Sequence, residues 1–76
     1  MSAIQLANVM AALVARSEAS RASGGDGFVP TSTVCMRVGL CTRSVRRVLD
    51  ARVNAGDLER RACGQGYSYR PVMRAT

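Results

Sequence analysis

The sequence predicts a mainly helical fold that closes on a small β-hairpin, and three patterns carry that expectation. Val45, Val48, Leu49 and Val53 recur at i, i+3, i+4 and i+8, the stripe of a helix buried along one side. Leu6, Val9, Met10, Leu13 and Val14 give a second helical face near the N-terminus. Tyr67-Ser68-Tyr69-Arg70 instead alternates with period two, directly after the glycine-flanked turn Cys63-Gly64-Gln65-Gly66.

Taken in order, residues 2–17 are expected as the first helix. Gln5, Asn8, Ala12 and Arg16 oppose its apolar face, and Ile4 and Ala11 lie off the main stripe. Residues 17–27 read as a fading helix and then a flexible loop, because Gly24-Gly25-Asp26-Gly27 cannot sustain helix. Phe28-Val29 is a short edge strand, closed by Pro30, which has no donor for a sheet ladder. Thr31 or Ser32 then caps a second helix whose apolar positions are Val34, Cys35 and Val38. Gly39-Leu40 is a tight turn, and Cys41 or Thr42 is left to cap the third helix. That helix buries its valine and leucine stripe and turns Arg43, Arg47, Asp50 and Asn54 the other way, with Ser44 and Arg46 on the flanks. Ala55-Gly56-Asp57 ends it, glycine being suited to the left-handed conformation after a helix. Leu58 anchors the first hairpin strand, and both tyrosines are expected on one face of the second. The whole reads as one domain, 1–76, with residues 72–76 as a short tail.

Charge narrows the function classes. The chain carries 11 basic and 5 acidic residues, a net +6, and every basic residue is arginine. Residues 1–36 hold Arg16 and Arg21 against Glu18 and Asp26, a balance of zero, so residues 37–76 carry the entire excess. A basic half of this kind is the electrostatic footprint of a phosphate-binding surface.

Other classes find little support. The 3 cysteines make neither a CxxC pair nor a disulfide framework, and with no histidine the usual zinc sites are missing. No metal, no cofactor and no enzymatic activity is expected, since no paired carboxylates or cofactor fingerprint stand out. Asp50 and Glu59 read as solvated charges or arginine partners. A reduced, cytoplasmic setting fits the free thiols. Nothing approaches the ~20 apolar residues of a membrane span. The Ala-rich start lacks a basic leader, and Asn8 interrupts it, so it is read as helix and not as a signal peptide.

Over residues 28–71 the chain resembles the winged helix-turn-helix family of DNA-binding domains. The parts that carry the resemblance are Val34-Cys35-Met36-Arg37-Val38, Gly39-Leu40, the helix over 42–55, Gly56 and the basic hairpin over 57–71. One departure is Cys41, which stands where family members commonly place a Ser or Thr cap. The resemblance implies the order α1-β1-α2-α3-β2-wing-β3, with the third helix laid in the major groove of double-stranded DNA. Thr42, Arg43, Ser44, Arg46 and Arg47 then occupy the reading end of that helix. Wing arginines Arg60, Arg61 and Arg70 suit phosphates and the minor groove. Thr31, Ser32 and Thr33 are placed to add phosphate contacts.

The function so implied is a small transcriptional regulator, of phage or plasmid type among the options. A protein-binding module, such as an inhibitor or adaptor acting on a host protein through the same basic face, is the alternative, because fold does not by itself fix function. A homodimer is expected, with Ile4 and Ala11 in its interface, since a single reading head covers only a few base pairs. A redox role for Cys41, at a helix start among arginines, is a third idea.

Overall fold

Helix α1, Ala3–Ala22, starts on a capping box. The Ser2 hydroxyl accepts the Gln5 amide proton at 3.2 Å, and the Gln5 side-chain oxygen accepts the Ser2 amide at 3.0 Å, so two exposed donors are satisfied reciprocally. The computed structural model describes residues 2–64 and 66–72. The tail beyond Val72 and Gln65 of the expected turn lie outside the described residues.

α1 runs five residues past the expected end at 17. Ser17 continues the buried stripe of Val9 and Leu13 at four-residue spacing, and it is itself buried, so packing carries the helix on. Ser23 then ends it, and Gly25 donates its amide to the Ser20 carbonyl at 2.8 Å. The buried face is narrower than the pattern suggests. Leu6 and Val14, expected inside, are exposed at 37% and 36%, while Ala12, expected outside, packs against the core. Met10 is partly buried there, and Ile4 and Ala11 are exposed.

The loop that follows is tied down. Phe28 donates its amide to the Asp26 carboxylate at 3.0 Å, and Gly27 donates to the Ser20 hydroxyl at 3.3 Å. Gly27 is buried at φ +84, and a Cβ there meets the Arg21 and Ser17 side chains at 2.6 and 3.1 Å. Strand β1, Val29–Pro30, leads straight into α2, Thr31–Val38. Neither Thr31 nor Ser32 caps α2. Pro30 holds the cap position and has no side-chain acceptor, and the Thr31 hydroxyl points sideways to donate to the Tyr67 carbonyl at 2.8 Å. Gly39 closes α2 in the left-handed region at φ 71.

Helix α3, Thr42–Asn54, takes Cys41 as its cap residue, with no side-chain bond to the helix amides. Its C-terminus is a Schellman arrangement: Gly56, at φ 86, donates to the Val53 carbonyl at 3.0 Å and Asp57 to the Arg52 carbonyl at 2.9 Å. β2, Leu58–Cys63, and β3, Gly66–Pro71, form an antiparallel hairpin whose register runs from Leu58 opposite Pro71 to Cys63 opposite Gly66. β1 adds to the other edge of β3, with Val29 opposite Tyr69, so the three-stranded sheet has the order β1-β3-β2.

Three helices and this sheet share one apolar core of Val9, Leu13, Val29, Val34, Val45, Val48, Leu49, Leu58 and Tyr69. Val53, Cys35 and Val38 pack against it partly buried. The expected order of elements and the inward stripe of the third helix are therefore present as a mainly helical chain with a small antiparallel sheet. Among the described residues, no helix is long and apolar enough to cross a membrane.

Candidate functional site

Because Val45, Val48 and Leu49 face the core, the opposite side of α3 faces water. Thr42, Arg43, Arg46, Arg47 and Asp50 line an open groove of about 430 Å³ on that side. Arg43 and Arg47 are exposed, and neither makes an ion pair among the described residues.

The flank of the groove nearest the hairpin is braced. The Tyr67 ring carries two guanidinium groups, Arg46 at 4.9 Å and Arg60 at 4.7 Å from its centroid. Asp50 offsets this positive charge. Its Oδ1 accepts from Arg60 at 3.1 Å and from the Tyr69 hydroxyl at 2.6 Å. Burial, and then the bond to Asp50, push the Tyr69 phenol up to about 12. Arg46 lies half-buried, and its Nε has no hydrogen-bond partner among the described residues. Both tyrosines thus turn to the α3 side of the hairpin, as the alternation predicts.

Arg61 and Arg70 are placed differently. They alternate with Arg60 and Tyr69 along their strands and point to the other face, where both cover the Phe28 ring at 4.1 and 4.3 Å. Arg61 pairs with Asp26 at 2.8 Å, and Arg70 pairs with Glu59 and donates to the Asp26 carbonyl at 2.9 Å. The Phe28 amide and then Arg61 hold the Asp26 carboxyl below its usual range. Asp26 and Phe28 are partners that the sequence reading missed. Glu59 was read as a solvated charge or an arginine partner, and the register sets it opposite Arg70.

At the helix start, the Cys41 thiol lies 3.2 Å from the Ser44 hydroxyl. That contact, and next the Ser44 amide, lower the thiol's pKa. The Cys35 thiol faces Thr42 Oγ1 at 3.8 Å, at the contact between α2 and α3. Of the eight expected contact residues, Thr42, Arg43, Arg46 and Arg47 share the groove, Ser44 is not among its lining and turns its hydroxyl to the Cys41 thiol, and Arg60 reaches it through Asp50. Arg61 and Arg70 belong to the Phe28 cluster. A second hollow, about 240 Å³, lies between Thr31 and Ser32 of α2, Thr42, and Cys63, Gly66 and Tyr67 of the hairpin.

Chemically the groove offers hydrogen-bond donors and positive charge. Among the described residues, no group of histidine, cysteine or carboxylate side chains is placed to hold a metal ion. Comparison with protein-family models, with curated proteins and with solved structures gives no match to this chain.

Proposed function

We propose that this chain is a winged helix-turn-helix DNA-binding protein, a small transcriptional regulator that lays α3 in the major groove and uses the β2–β3 hairpin as its wing. One observation carries the reading. Four arginines of the basic half, Arg52, Arg60, Arg61 and Arg70, are neutralised within the chain by Asp57, Asp50, Asp26 and Glu59. Arg43 and Arg47 are left exposed, side by side on the outer face of α3. An exposed pair of arginines one turn apart on a helix backed by a packed core suits a polyanion whose groove admits a helix. The order α1-β1-α2-α3-β2-β3, with the left-handed Gly39 between the second and third helices, supports the same reading.

The test is binding to a pool of random duplexes at two salt concentrations. Enrichment of a motif, with affinity that falls as salt rises, is the expected result. Failure to bind duplex at low salt rejects the reading. A second reading has an observation in its favour: the wing arginines are paired with acids, which gives the hairpin fewer free cations to offer phosphates. The groove then serves an acidic protein surface, and a pool without binders points there.

A further inference from the structure

Resting on the DNA-binding reading, we infer that the outer face of α3 is selective for guanine, and reads two guanines about two base-pair steps apart through Arg43 and Arg47. Arginine brings only donors and no acceptor. In the major groove, guanine alone presents two adjacent acceptors, O6 and N7, to such a fork. Adenine offers one acceptor beside a donor, cytosine a donor, and thymine one acceptor beside a methyl group. A guanidinium free to reach base edges therefore discriminates for guanine.

Freedom is what sets this pair apart. Arg46 and Arg60 are stacked on Tyr67, and Arg52 is tied to Asp57 at 3.1 Å. Arg43 and Arg47 are the exposed arginines of α3, and both line the open groove. Their spacing adds the geometry. Four residues of helix rise about 6 Å, and base pairs are stacked about 3.4 Å apart. With the helix axis along the groove, the two forks fall over bases separated by one intervening pair, a G-N-G step. Asp50 lies at the far end of the same groove and brings no donor to a guanine edge. Its Oδ1 is already committed to Arg60 and Tyr69, which fixes its place.

The experiment uses short duplexes with a single G-N-G step in an otherwise A·T-only sequence, read by fluorescence anisotropy at fixed salt. The controls are an A·T-only duplex and versions with 7-deazaguanine at either guanine, which removes N7 and leaves base pairing and phosphates intact. The unmodified protein should bind the G-N-G duplex about tenfold more tightly than the version with one guanine replaced by adenine. Each deaza substitution should weaken it several-fold. Arg43→Ala should be insensitive to one deaza position and Arg47→Ala to the other, with unchanged circular dichroism. Equal affinity for all duplexes overturns the guanine reading and leaves DNA binding standing, with the two arginines on phosphates. Absence of binding to every duplex overturns the DNA-binding reading itself, and this inference with it.

Discussion

Leu49 and Arg47 stand two positions apart on α3 and do opposite work: Leu49 is fully buried among core side chains, and Arg47 faces water. Leu49→Ala should cost about 2–5 kcal/mol through lost burial and the cavity left behind. Arg47→Ala should leave the urea midpoint almost unchanged, since an exposed arginine without an ion pair gives up little. Equal losses in urea unfolding mean that the helix is rotated from this description. Tyr69 carries a pH prediction. Its folded pKa, about 12, lies above the ordinary value of 10.0. Its contribution is therefore fully present below about pH 10 and is lost as pH rises towards 12. Stability followed through that window should fall more steeply than in Tyr69→Phe, and matching curves contradict the assignment. Asp50 shows where residue-level reading stops. Its side of the helix follows from periodicity, but its partners lie 10 and 19 positions away, and only the docking of the hairpin brings them together.

At the scale of elements, glycines marked the boundaries well. Gly56 ends α3 at φ 86, a conformation that costs an L side chain about 1–2 kcal/mol. Gly56→Ala should lower the thermal midpoint accordingly, and an unchanged midpoint contradicts the Schellman end. The placing of both tyrosines on one face of the hairpin was also legible, because alternation with period two sets it. The end of α1 was not. A serine reads as helix-fading by propensity, yet Ser17 is 2% exposed and packs on the core side, so tertiary contact outweighs local preference. The Phe28 cluster was hidden for a related reason. It joins a loop to the outer face of a hairpin more than 30 positions away, and no periodicity encodes such a meeting.

For the whole molecule, charge clustering was visible from the start, but its spatial resolution was not. The sequence places nine arginines in residues 37–76. Folding neutralises four of them, one with an acid from the first half of the chain, and leaves Arg43 and Arg47 exposed on α3. The outer side of α1 adds a proposal about assembly. Ile4, Ala7, Ala11 and Val14 are all exposed at alternating spacings of three and four, Ile4 by 74%. This seam lies in the half with no net charge to repel a second copy. We propose a twofold dimer across it, which sets two reading heads on half-sites about 34–36 Å apart or a multiple of that distance. Ile4→Glu should give a folded monomer that binds a palindromic site less tightly. Light scattering that finds the unmodified protein monomeric at high concentration, both free and on DNA, contradicts the dimer.

The proposed contact of α3 with duplex DNA through Arg43 and Arg47 is open to a salt series on one duplex. The measurement compares the affinity of the unmodified protein, of Arg43→Ala/Arg47→Ala and of Arg61→Ala as salt is raised, with folding checked by circular dichroism. Phosphate contacts release counterions, so affinity falls linearly on logarithmic axes with a slope close to the number of contacts. The double variant should lose most of the binding at every salt concentration. Arg61→Ala should lose less, because Asp26 already holds that guanidinium. A double variant that binds as tightly as the unmodified protein, with the same salt slope, contradicts the proposed contact.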